Sequence, residues 1–271
     1  MTLFLFILAL CVVSGIALAP RYKAYKRKKI ANTPFKKEWR KIIQRRIPYF
    51  KKMPVDLQLQ LKKHIQVFLS EKEFVGLNGI TINDEIRLTI AAQACLLILN
   101  RKTNYYPKLK SILIYPSSWV KQHSTSNSDG IHFTQHMRVA GESWGYGKIV
   151  LSWNDTLSGA DNPDDGHNLV IHEFAHRLDQ EDGSSNGAPI LSQGQSYEQW
   201  SAIFSKEYEQ LKNDIAHNLR SVFDNYGATN PAEFFAVASE VFFEKSAELK
   251  EAHPELYQQM STYYRIDPCS W

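Results

Sequence analysis

The sequence predicts an α+β fold: a mostly helical body with a small sheet, preceded by an N-terminal transmembrane helix. Three observations carry this. From residue 167 onward apolar residues recur at helical spacing with few interruptions. Between residues 111 and 153 they gather into short runs rich in Ile, Val and Leu. Residues 3–19 carry no charge. A chain of 271 residues, 44% hydrophobic and 22% charged, can bury a core of its own. The expected division is 1–20 as anchor, 21–33 as basic juxtamembrane linker and 34–271 as one folded domain.

The N-terminal run, Leu3 to Ala19, is at the short end for a membrane-spanning helix. A cleaved signal peptide would begin with basic residues, and Pro20 directly follows the cleavage-like Ala17-Leu18-Ala19. A core helix does not border so many cations. Residues 21–52 hold fourteen Lys and Arg against one acid, Glu38. The positive-inside rule then predicts an inner-membrane, single-pass protein with its body facing the cytoplasm, a cytosolic location being the alternative. The basic flank would add contacts to anionic headgroups. Because the net charge is only +4, the remainder of the chain is acidic. A sequence pI of 8.8 is therefore no sign of nucleic-acid binding, and no nucleic-acid partner is expected. Cys11, Cys95 and Cys269 stand in unrelated contexts and form no disulfide framework.

Along the body, residues 36–47 and 55–69 read as helices, the second with Leu57, Leu61, Ile65 and Phe68 on one face. Residues 84–100 form a core helix behind an Asn83 or Asp84 cap. Within it, Ala91-Ala92-Gln93-Ala94 reads as a close-packing segment without chemistry. Strands are expected at 111–115, 131–140 and 148–153, and a polar loop at 154–166. Helices follow at 167–180, 196–212, 231–245 and 254–264.

The helix at 167–180 carries His172-Glu173-Phe174-Ala175-His176. At 100° per residue, Val170, Ile171, Phe174, Ala175 and Leu178 gather on one side, while His172, His176 and Asp179 lie within about 60° of one another opposite. Histidines four apart stand one above the other and can share a Zn²⁺ ion. Zinc lowers the pKa of water, and Glu173 between the faces is placed to take the proton and return it to the leaving amine. A zincin-like metallopeptidase, with one zinc per chain and peptide substrates, is the expectation.

Catalytic zinc needs a third protein ligand. No third histidine stands at an extended-motif position, and Asp179 occupies the place of the expected glycine. Glu233 and Glu240 lie on one face of the 231–245 helix, about 10 Å apart along it, so one ion cannot hold both. Glu233 also fits a capping box behind Asn230 and Pro231. Local chemistry leaves capping and ligation by Glu233 open, with Glu240 a further option.

The segments Thr89–Leu96, Gly141-Glu-Ser-Trp-Gly145, Asp165–His176 and Asn230-Pro-Ala-Glu-Phe-Phe-Ala236 together resemble the Mlc titration factor A family of bacterial peptidases, over about residues 34–268. The active-site helices are also similar to those of the anthrax lethal factor catalytic domain. The resemblance implies Glu233 as the third ligand and Tyr226, seven residues before it, as hydrogen-bond donor to the oxyanion. It implies aminopeptidase-type cleavage too. It further implies an alternative in which the chain chiefly sequesters a transcriptional repressor such as Mlc and hydrolysis is secondary. The N-terminal anchor departs from many members.

Around this site, Asp179 is a candidate to orient a ligand imidazole, as is Glu240. Gly141 and Trp144 are candidates for a substrate-binding edge.

Overall fold

The computed structural model describes residues 2–117, 119–126, 132–139 and 147–271. The chain opens with α1 (Thr2–Ala31), one helix that runs through Pro20 into the basic segment. α2 (Lys37–Arg46), α3 (Val55–Glu71), β1 (Glu73–Gly76), α4 (Asp84–Leu96) and β2 (Ser111–Tyr115) follow. β3 (Trp119–Ser126) and β4 (His132–Val139) pair as an antiparallel ribbon. β5 (Lys148–Ser152) leads directly into α5 (Trp153–Asp161) and then α6 (Leu169–Asp179). α7 (Tyr197–Ala216), α8 (Pro231–Glu244), α9 (Ser246–Ala252) and α10 (Pro254–Tyr264) complete a mostly helical body.

The membrane-spanning helix expected at residues 1–20, and the inner-membrane location drawn from it, are overturned. Among the described residues no helix is long and apolar enough to cross a membrane. The uncharged run reaches about 25 Å at the α-helical rise, short of a hydrocarbon core of about 30 Å. The same helix then continues into Arg21, Lys23, Lys26 and Arg27. Arg27 ties it to the body, donating to both Glu71 carboxylate oxygens at 2.6 and 2.8 Å.

β1, β2 and β5 form a parallel sheet in that order, so β2 is central. Phe74 pairs with Ile112, and Ile112 with Ile149. Parallel neighbours need a crossover, and α4 supplies it between β1 and β2. α4 is buried on almost every side because it lies between α2, α3, α5 and α6.

Two helices position the site. α6 starts where the Asn168 side chain accepts from the Ile171 N–H. Its inner face, Val170, Ile171, Phe174, Ala175 and Leu178, is buried, and Phe174 packs against Phe68 and Tyr106 with ring centroids at 5.7 and 4.8 Å. α8 crosses α6 with Asn230 as cap and Pro231 in its first turn. The expected polar loop at 154–166 is mostly helix instead. Ser152 caps α5, and Gly159 lets α5 close on the start of α6: a Cβ there would lie 3.0 Å from the Asn168 Cα.

Candidate metal centre

His172 and His176 stand one turn apart on α6, and Glu233 reaches them from the first turn of α8. Glu233 Oε2 lies 3.0 Å from His172 Nε2 and 3.2 Å from His176 Nε2, and the two ring nitrogens are 3.2 Å apart. Three donors so close, two of them imidazole nitrogens with converging lone pairs, fit a cation better than one another. A tetrahedral ion with bonds of about 2.0–2.1 Å spaces its ligand atoms about 3.3 Å apart, close to the spacing found here. Among the described residues these three form the group able to hold a metal ion.

The local charges agree. Burial pulls the His172 pKa down, but hydrogen bonds with Glu233 and Glu240 outweigh it and hold it well above its ordinary value. Burial raises Glu233, yet hydrogen bonding to the two histidines carries it down to about 2. The pocket therefore favours positive charge at the point where the three side chains meet.

Glu233 can hold a cap position and still turn its carboxylate to the histidines. Its backbone N–H donates to Asn230 Oδ1 at 3.0 Å, while its carboxylate turns to the histidines. The residue sits at a cap position without spending its side chain on the cap. Glu240, two turns on, meets His172 from behind: its Oε1 is 2.7 Å from Nδ1. A proton on Nδ1 donates to Glu240, so release of the other proton from His172 exposes an Nε2 lone pair directed at Glu233 and His176.

Glu173 is 8% exposed, and burial raises its pKa above the ordinary carboxylate value. Tyr226 lies in a 3-10 turn, Asn225–Ala228, pinned by Asp224 accepting from the Tyr226 N–H. Its ring centroid is 6.0 Å from that of His172, and the residue is 52% exposed, on the open side of the group.

Asp179 is fully buried, but its carboxylate accepts from the Gly187 N–H at 3.0 Å rather than from His176. It fastens the loop after α6, where Gly187 presses on the start of α8. Gly141 and Trp144 lie outside the described residues. Sequence reading passed over the buried partners of Asn168: Gln93 stood in a close-packing segment without chemistry, and Glu244 was not singled out. The signal was there: acids at 240 and 244 in a helix otherwise almost wholly apolar must find buried polar partners.

A family model described as glucose-regulated metallo-peptidase M90 matches residues 22–265. The chain belongs to this family. An uncharacterised protein of Synechocystis is 40% identical over 250 residues, which cover 92% of this chain and 91% of the relative. The Mlc titration factor A of Salmonella arizonae is 31% identical over 226 residues, 82% of this chain and 88% of its own. That of Escherichia fergusonii is 30% identical over 225 residues, 82% and 84% respectively. As an M90 member the chain is a metallopeptidase in the general sense. It acts on peptides, and the triad on α6 and α8 is its candidate metal site.

Proposed function

We propose that the chain is a zinc-dependent peptidase in which His172, His176 and Glu233 hold one Zn²⁺, Glu173 is the general base and Tyr226 the oxyanion donor. The convergence of three ligand-type atoms within 3.2 Å of one another carries the reading. Two imidazoles and one carboxylate suit zinc and leave a fourth position open for chemistry. Zinc held there supplies Lewis acidity, which makes water acidic near neutral pH and polarises a peptide carbonyl.

The side chains then divide the work. Glu173, next to His172 in sequence and desolvated, takes a proton from the attacking water and delivers it to the departing amine. Its raised pKa suits a group that must both accept and release that proton. The Tyr226 phenol, half exposed beside His172, is free to approach a developing oxyanion and donate to it. Glu240 keeps the proton of His172 on Nδ1, so Nε2 stays a ligand. Asp179 acts on the loop instead of on an imidazole.

Metal content tests the ligand set. The purified chain should hold about one zinc, and Glu233→Ala should deplete it; depletion by Glu240→Ala while Glu233→Ala stays loaded would reverse the choice of third ligand. The proposal includes aminopeptidase-type cleavage, which the resemblance implies. Peptides with a free amino terminus should then be cut at least tenfold faster than their acetylated forms.

A second reading follows from the name of the relatives, Mlc titration factor A. In it the chain binds a transcriptional repressor and hydrolysis is secondary. A hydrolytically dead variant that still binds the repressor would support that role beside the enzymatic one.

A further inference from the structure

Behind the histidines lies a buried polar layer that the chemistry above does not use. Asn168, 1% exposed, is its hub. Its Oδ1 accepts from the Ile171 N–H at 3.0 Å, which is the ordinary task of an N-cap. Its amide nitrogen does more. Nδ2 donates to Gln93 Oε1 at 2.7 Å and to Glu244 Oε1 at 2.8 Å, with a longer contact to the Gly159 carbonyl at 3.3 Å. Its backbone N–H donates to Glu240 Oε2, and its carbonyl accepts from the His172 N–H at 2.9 Å.

A helix start needs only the Oδ1 bond and the carbonyl bond to His172, and Ser or Asp would supply both as well. The others join α4, α5 and α8 at one residue. Gln93 is itself oriented, because its Nε2 donates to the Thr89 carbonyl at 3.0 Å, so its oxygen faces Asn168. Gly159 makes room: a Cβ there would come within 3.2 Å of the Asn168 Cγ. Glu240 stands between this hub and the site, one oxygen on the Asn168 N–H and the other on His172 Nδ1.

We propose that Asn168, held by Gln93 and Glu244, is a positioning residue that fixes the Glu240 carboxylate and through it the orientation of His172 for metal binding. The inference rests on the proposed use of His172 as a ligand. Gln93 thereby acquires a role that its alanine-rich surroundings concealed. Loss of the amide arms should let the α6 start and the Glu240 carboxylate shift together, and partners of ligand imidazoles commonly set metal affinity by about 10–100-fold.

The test is the zinc dissociation constant of the full-length chain, measured by competition with a chromophoric chelator, alongside the melting temperature of the metal-free protein. Asn168→Ser keeps a cap oxygen and loses the arms; it should weaken zinc binding by about 10-fold or more. Gln93→Leu and Glu244→Met leave the cap intact and should each weaken it several-fold, whereas Glu244→Gln keeps the acceptor and should match the parent. If Asn168→Ser does not fold, the other three variants carry the comparison. Parental zinc affinity in Gln93→Leu and Glu244→Met, with only a lower melting temperature, overturns the proposal and leaves Asn168 a cap. A parent chain that takes no zinc from the chelator overturns the metal site itself, and this inference with it.

Discussion

Glu233 shows why single residues resist sequence reading. Asn-Pro-Ala-Glu describes both a capped helix start and a ligand one turn into a helix, and here the backbone serves the first while the carboxylate turns to His172 and His176. Nothing local separates these; the facing helix does. The two histidines were legible because one helix holds both, at a spacing that geometry alone places on one face. Tyr226 was not legible from pattern: its position depends on a 3-10 turn and on the approach of that turn to His172. If the phenol serves the oxyanion, Tyr226→Phe should lower kcat by about 10²-fold with KM little changed, the signature of a contact made only in the transition state. Glu244 supports a pH prediction. Burial raises its pKa from 4.5 to about 8. Between those values the folded chain keeps a proton that the unfolded chain has released, so this group lowers stability as pH rises from 4.5 to 8. Glu244→Gln should remove that slope, matching the parent near pH 4.5 and exceeding it at pH 8 by about 1–3 kcal/mol in thermal or denaturant unfolding.

Helices with a clear apolar stripe were readable, and α3, α6, α8 and α10 fall within a few residues of their expected bounds. β1, α5 and α9 escaped the sequence for separate reasons. β1 has four residues and makes sense only beside β2. α5 is rich in Asn, Asp, Ser and Gly, so composition argues for a loop while the Ser152 cap and its packing between β5 and α6 make it a helix. α9 is a seven-residue helix between α8 and α10, too short for periodicity to declare itself. The contact between the loop after α6 and the start of α8 is likewise invisible in sequence, yet it locates Glu233. Gly187 has φ +76°, and a Cβ there would sit 2.4 Å from the Pro231 carbonyl oxygen. Its N–H is held by Asp179 and its carbonyl accepts from Trp200 Nε1 at 2.9 Å, so the loop cannot easily retreat. Gly187→Ala should therefore cost about 1–3 kcal/mol of stability and weaken metal binding. Equal zinc affinity in parent and variant would show that the loop does not set the α8 start.

Across the whole molecule, charge was legible and its meaning was not. The basic segment 21–52 belongs partly to α1, whose Arg27 is spent on Glu71 and Asn104, and partly to α2, where Arg46 meets Glu85 and Asp161. A run of cations that suggested a membrane flank is in part a set of tethers to the body's acids. The body brings α6 and α8 together by their buried faces and leaves the polar edges of both facing the same small space. The site is thus a product of packing: neither helix holds it alone, and the sheet and α4 press α6 from behind. Glu173 is the proposed base in a site that other side chains build. The most direct measurement is the rate of peptide hydrolysis by zinc-loaded Glu173→Gln against the parent at matched zinc content. The variant should keep its zinc and lose activity by at least about 10²-fold. Hydrolysis at the parental rate, with zinc bound, would contradict the account.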